Sequence, residues 1–495
     1  MSSTDQPSLA ESLPFLSAWE WELLGTPVEA TVLDPGPFPR TASVIRIERD
    51  ERLRLTFAFH GEPAARLGDI VSSKAWKPDG GKFVKLLSDV PPVVALWEER
   101  NAEITVLGPH WLRLHGDASG PEAIHGKAER VLYRAREDRR PSSLSLWLAN
   151  GPPGGEFFWP RVSERCAETA FTTSRGSLIR RDGTSRHETH SRDHALLDLG
   201  SWGKVVLAEV PSRLPGSPVP KRTSREHSHC LSLEFHAGLA PIPEPESWDD
   251  LVRAVGFAMG RKLVLLGATA FGEDHRIAWA DARCPTGAFL PDAFEERSRP
   301  PTAVAAPDAD AERLRFLAED RLAELVRTML DATRDAKLAP AMARALDLLW
   351  LASSSSLRLA PTLCMTAIDE IATAWLEATP SCAGEPLPGS GGGRRELFFQ
   401  STGLARGAVE KAVKEFRDDV THGRRCTIEP ACLEPLVWTK RAACTLLHRV
   451  LLRAIRFQGT YVDYSTWAET ERDLDAALGG PKGDGQPASW DDGPS

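Results

Sequence analysis

The apolar residues of this chain recur at every second position through its first half and at every third or fourth position from about residue 311 onward. That switch of period constrains the fold more than any other feature, because alternation builds half-buried strands and the longer period builds amphipathic helices. Residues 42–60 set Leu53, Leu55, Phe57 and Phe59 on one face and Arg52, Arg54 and Thr56 on the other, with a hairpin turn at 49–51 after Ile45 and Ile47. Short strand-like runs follow at 103–116, 130–135, 143–149, 204–210 and 230–235. Gly/Pro-rich breaks such as GPPGGE (151–156) and PSRLPGSPVP (211–220) separate them. This rhythm predicts a β-rich N-terminal domain, a sandwich or partly open barrel of antiparallel sheet.

Ser247 is placed to cap a helix over 248–260, with Asp249 and Asp250 in its first turn. Strand-like runs at 262–271 and 276–282 come next, and 297–311 reads as an interdomain linker. Leu314, Leu317, Leu322, Leu325, Val326, Met329 and Leu330 then fall on one helical face, and Ala343, Leu346, Leu349 and Trp350 continue the pattern. Further helices are expected over about 359–378, 405–422 (closed by Gly423) and 433–457, with a flexible loop at 382–395. The expected fold is therefore α+β and multidomain. A flexible N-terminus (1–13) precedes a β-rich domain (14–296) that includes the helix at 248–260. A linker (297–311), an all-α antiparallel bundle (312–478) and a disordered tail (479–495) complete it.

A chain of 495 residues exceeds one ordinary core. Its apolar share of 42% and charged share of 26% are those of a globular protein, and no run approaches the ~20 apolar residues of a spanning helix. The polar, acidic start MSSTDQPSLAESLP lacks the basic and apolar regions of a signal peptide, so a cytoplasmic protein without membrane partners is expected. Eight scattered cysteines without a Cys-x-x-Cys pair predict reduced, mostly buried thiols. A net charge of −9 excludes a generally basic nucleic-acid coat while leaving room for a local basic site.

One such site is RDDVTHGRR. Arg417 and His422 are separated by four residues at the end of the amphipathic segment GAVEKAVKEFRDDVTHG. A helix C-terminus is partially negative and favours a protonatable imidazole. The intervening residues are polar, as suits a face lining a cleft. Lys411 and Lys414 before the pair, with Arg424 and Arg425 after it, make a short basic strip suited to phosphates. Other Arg/His pairs of similar spacing, Arg54…His60, Arg181…His187 and Arg222…His227, lie in strand or turn-rich sequence. Arg441…His448 is the serious rival, since seven residues place both on one helical face. Its apolar surroundings AACTLL favour His448 as a packing residue.

RDDVTHG resembles the late Arg-x4–6-His motif of HEPN domains, and MTAIDEIATAW resembles their early acidic helix. The layout of a β-rich domain ahead of the bundle is similar to that of Apea-type anti-phage HEPN proteins, as is the run SWDDLVRAVGFAMGRKLVLLGATAF. The resemblance implies a metal-independent endoribonuclease without cofactors, an abortive-infection effector whose N-terminal domain senses a phage-derived trigger or restrains the bundle. His422 would serve as base or acid, Arg417 would hold the crowded phosphorane, and Glu370 (or Asp369) would orient one of them. Products would carry 2′,3′-cyclic phosphate and 5′-hydroxyl ends. The RNA target, whether tRNA, mRNA or rRNA, stays open. A homodimer or higher homo-oligomer is implied, with two Arg/His pairs facing across one cleft.

Two other readings compete. The bundle could be a non-catalytic oligomerisation module beside a binding domain. Alternatively, His187, His190, His194, His227, His229 and His236 could bind zinc, although none of the usual short Cys/His ligand pairs is present. GSGGGRR lacks the preceding strand and following Lys-Ser/Thr of a phosphate loop. The fifteen tryptophans read as core residues rather than a base-stacking platform.

Overall fold

A computed structural model of the chain describes residues 28–29, 31–34, 42–49, 54–61, 78–79, 83–85, 92–98, 101–108, 111–117, 120–149, 194–210, 230–273, 277–284, 299–302, 319–380, 387–423 and 433–487. The protein is an α+β chain, with extensive antiparallel sheet in the first half and helices in the C-terminal part. It divides into two compact units. One comprises Met1–Pro245 with Val264–Asp292, the other Glu246–Leu263 with Ala293–Ser495.

In the first unit the strands Ala42–Arg49 and Leu55–Gly61 form the expected hairpin, with Ile47 opposite Phe57 and Arg49 opposite Leu55. It belongs to one of two antiparallel sheets. In the larger sheet Pro141–Ala149 is central, paired on one side with Cys230–His236 and on the other with Val264–Gly272. Leu144, Leu146, Leu148, Leu231, Leu233 and Phe235 alternate along these strands and are buried, as the period-two pattern requires.

The intervening positions are buried too. Alternation puts Ser143 and Ser145 on the face opposite the leucines, and both are buried, as are Ser232, Glu234, His236 and Thr269 on the neighbouring strands. Ser143 stands opposite His236 and Ser145 opposite Glu234 and Thr269, so these side chains share one face. Trp147 Nε1 donates to Thr269 Oγ1 at 3.0 Å, and Ser232 Oγ donates to Glu234 Oε1 at 3.0 Å. The sheet is thus buried on both faces at its centre, a case that composition does not separate from a half-solvated strand.

The second unit is helical: α1 (Trp248–Ala258), α2 (Glu319–Ala332), α3 (Leu338–Ser354), α4 (Leu359–Ala378), α5 (Gly391–Thr402), α6 (Ala408–Thr421) and α7 (Leu433–Ala454). Helix α1 follows Ser247 as expected, although the serine side chain makes no capping hydrogen bond. Its place differs from the sequence reading, which put it in the β-rich domain. Its apolar stripe, including Leu251, Val255 and Ala258, packs on α2 and α3.

Three further corrections concern segments read as loops. The glycine run at 391–393 opens α5 rather than ending a flexible loop. Ser390 caps it by accepting the Gly393 N–H at 3.1 Å, and Phe398 and Phe399 bury against the bundle. A strong cap and two aromatic anchors outweigh the entropy of three glycines. Residues 299–302, read as linker, are docked: Pro301 O accepts Val462 N–H at 3.0 Å and Pro300 O accepts the Tyr464 hydroxyl at 2.8 Å. Residues 479–487, read as disordered, are also tied down, with Gly479 N–H donating to Asp463 Oδ2 at 2.6 Å and Trp467 N–H to Pro481 O at 3.3 Å. The expected N-terminus 1–13, linker residues 303–311 and tail residues 488–495 lie outside the described residues.

Candidate functional site

Helix α6 carries the Arg417/His422 pair. Glu410 Oε2 accepts the Gly407 N–H at 2.8 Å, closing the N-terminal turn. Val409, Val413 and Phe416 are buried at helical spacing and seat α6 on α4 and α7. The opposite side carries Lys411 and Lys414, both exposed. Arg417 lies at the margin, half-buried, with Nε 3.1 Å from Asp418 Oδ1 in an ion pair that is off hydrogen-bond geometry.

His422 is the residue that ends the helix. Its backbone N–H donates to Asp418 O at 3.0 Å, its φ of −91° and ψ of 7° leave the helical range, and its side chain is exposed. Gly423 follows at a φ of 68°, a conformation that glycine adopts without strain. Arg417 and His422 are thus about 7.5 Å apart along the axis of one helix end. His422 is exposed and Arg417 half-buried at the C-terminal end of the helix. Arg424 and Arg425 lie outside the described residues.

The acids on α4 are engaged elsewhere. Glu370 Oε2 lies 3.1 Å from Arg344 Nε of α3, and Asp369 Oδ1 accepts from Arg395 Nη1 of α5 at 2.5 Å. The structure therefore brings neither acid into a described ion pair with Arg417 or His422. Sequence reasoning had no access to the second partner, because α5 was read as loop.

The rival pair is brought together, but in the interior. Arg441 Nε donates to Tyr464 O at 2.8 Å, its Nη2 reaches Glu469 Oε1 at 3.1 Å, and its guanidinium lies 4.9 Å over the Trp467 ring. His448 is 4% exposed and sits edge-on to Phe257 and Tyr464. Burial, aided by the Arg299 charge, pushes its pKa down to about 3. A histidine that stays neutral over the physiological range cannot donate a proton to a leaving group there, so its packing role stands.

Among the proposed zinc ligands, His187, His190, His227 and His229 lie outside the described residues, and nothing is assigned to the side chain of His194. His236 is buried with Nε2 3.5 Å from Glu234 Oε2, and neither ring nitrogen has a hydrogen-bond partner. Among the described residues no three His, Cys, Asp or Glu side chains converge as a metal site would require, and no helix is long and apolar enough to cross a membrane. Cys364 and Cys444 are buried thiols with sulfurs 3.8 Å apart, and the contact with Cys444, together with burial, holds the Cys364 thiol well above its ordinary pKa. Comparison with models of known protein families, with curated proteins and with solved structures finds no match.

Proposed function

We propose that the helical unit is a metal-independent endoribonuclease of the HEPN type, acting as an anti-phage abortive-infection effector. The observation that carries this reading is the exposed imidazole of His422 at the end of α6, one and a half turns beyond the half-buried guanidinium of Arg417. Exposed Lys411 and Lys414 lie on the same helix and would track the RNA backbone. The finer architecture, a sandwich or partly open barrel joined to a HEPN bundle, belongs to the same proposal.

In the proposed reaction His422 removes the proton of the ribose 2′-hydroxyl, whose oxygen attacks the adjacent phosphorus. Arg417 donates to the non-bridging oxygens as charge builds on the phosphorane. The 5′-oxygen leaves with a proton, giving a 2′,3′-cyclic phosphate and a 5′-hydroxyl. One histidine cannot serve as base and acid in the same turnover, so the proposal includes a homodimer that supplies a second His422 across the cleft. Leu351, Leu359 and Leu433 are exposed near the α3–α4 turn and the start of α7. Exposed leucines of this kind would suit self-association. The β-rich unit would sense the trigger or restrain the bundle.

The second reading, a non-catalytic scaffold, is favoured by the pairing of Glu370 with Arg344, which leaves the Arg/His pair without its expected acid. Cleavage of total cellular RNA in excess EDTA separates the two. Wild type is expected to cut and His422→Ala not to, whereas equal cutting by both overturns the assignment of the site.

A further inference from the structure

Helices α4 and α7 pack against each other, and two thiols meet between them. Cys364 Sγ and Cys444 Sγ are 3.8 Å apart, both buried, although 80 residues separate them in the chain. A disulfide needs its sulfurs about 2.05 Å apart, so each would have to move by less than ~1 Å. In a close-packed interior even that movement requires slack. Cys444 has it, because the residue lines a small cavity of about 10 Å³ bordered by Arg441, His448 and Tyr464.

The two thiols are not equivalent. Cys364 is fully buried and its S–H donates to Cys444 Sγ, a contact that together with burial keeps it protonated. Cys444 is the acceptor, and Lys440 and Arg441 stand one turn before it on α7. Neighbouring cations favour the thiolate, which is the reactive form. Cys444 is therefore the attacking sulfur and Cys364 the resolving one. With hydrogen peroxide as oxidant, the Cys444 thiolate attacks one oxygen, the O–O bond breaks, and hydroxide leaves to be protonated by solvent. The Cys364 sulfur then attacks the resulting sulfenic acid: the S–S bond forms, the S–O bond breaks and water departs with the Cys364 proton. Two thiols and one peroxide give one disulfide and two waters, with two electrons passing from sulfur to oxygen.

We infer that Cys364 and Cys444 are a peroxide-responsive pair that closes a disulfide between α4 and α7. These are the two helices on which α6 is seated, so the bond would fix the seat of the helix that carries Arg417 and His422. The inference is independent of the nuclease reading, because neither sulfur belongs to that pair. The full chain, reduced and then exposed to hydrogen peroxide in native buffer, is expected to yield linked peptides containing Cys364 and Cys444. Its helical unit is expected to melt about 5–15 °C higher than in the reduced protein, and a thiol reductant should reverse the shift. Cys364→Ser removes the resolving thiol and is expected to leave a sulfenic acid on Cys444 that dimedone traps. If that variant fails to fold, the wild-type peptide map and melting curves decide alone. Absence of the linked peptides, equal melting of the oxidised and reduced protein, or a folded Cys364→Ser without label on Cys444 overturns the inference.

Discussion

Arg449 and Glu410 meet out of contact with water, with guanidinium Nη1 3.1 Å from carboxylate Oε1. Every other arm of the pair is also used. Arg449 donates to Leu474 O at 2.9 Å, Ala405 O at 2.8 Å and Asp475 O at 2.9 Å, and Glu410 accepts from the N–H groups of Leu478 at 3.0 Å and Gly407 at 2.8 Å. Burial lowers the guanidinium pKa, while Tyr461, Glu410 and Asp463 work against that shift. The pair fastens the start of α6 and the chain beyond residue 473 to α7, so it positions the helix that carries Arg417 and His422.

Removing one partner strands the other charge in the interior. Glu410→Gln or Arg449→Met is expected to lower the stability of the helical unit by about 3–5 kcal/mol. The double variant should lose less than the sum of the two. Urea unfolding of the full chain, followed through the transition of the helical unit, measures both.

His448 makes that unit sensitive to acid. Its pKa is about 3 when folded, against about 6.5 when exposed, so between these values the unfolded chain binds the extra proton. Stability from this group is complete above about pH 6.5 and falls as pH drops toward 3, by up to ~1.4 kcal/mol per pH unit. His448→Phe should flatten that part of the stability profile, and denaturant midpoints taken from pH 7 to pH 4 would show whether it does.

Much of this was legible in the sequence. The switch of period located the strands and the helices, because burial on one face imposes its spacing on the residues. The strands at 130–135 and 204–210 and the helix at 359–378 fall where the pattern puts them. What escaped depended on contacts distant in sequence. The glycines that open α5 read as loop because Asp369 and Phe398, which fix that helix, contribute nothing to local composition. The burial of the serines at 143 and 145 escaped as well, because a strand cannot report whether its second face is covered. At the candidate site, the helix that carries Arg417 and ends at Gly423 could be anticipated, but the capture of Glu370 by Arg344 could not, since it depends on how α3 lies against α4.

Asp463 shows how the chain beyond α7 is held. The carboxylate is buried and accepts from Ser465 N–H at 2.9 Å, Ser465 Oγ at 2.5 Å and Gly479 N–H at 2.6 Å. Hydrogen bonds to a charged acceptor contribute about 1.5–3 kcal/mol each when one partner is removed. Asp463→Ala should therefore destabilise the unit by at least that much and expose the 479–487 segment. Limited proteolysis should then cut there, where the wild type is expected to resist.

Arg417→Lys separates charge from geometry in the proposed reaction. Lysine keeps the positive charge but loses the planar fork that would span two phosphoryl oxygens. RNA cleavage is expected to fall by about 10²–10³-fold. Stability should stay within about 0.5 kcal/mol, since Arg417 is half-buried and its described ion pair is with its own neighbour Asp418. Matched single-turnover rates and melting curves would establish both; a loss of rate that follows a loss of stability would make Arg417 structural.

Lys411 and Lys414 test where the RNA backbone runs. Both are exposed on α6, about two turns (Lys411) and one turn (Lys414) before Arg417, and neither packs in the core. If each neutralises one phosphate, replacing both by alanine should reduce the slope of log affinity against log salt by about 1.4 for single-stranded RNA, at ~0.7 per contact. Affinity should fall alike for RNAs of different sequence, because phosphate contacts carry no base information. Binding of two unrelated oligonucleotides across a salt series, with His422→Ala as the background to prevent cleavage, measures the slope. An unchanged slope would place the RNA on another face of the bundle and remove these lysines from the site, while leaving the test of Arg417 untouched.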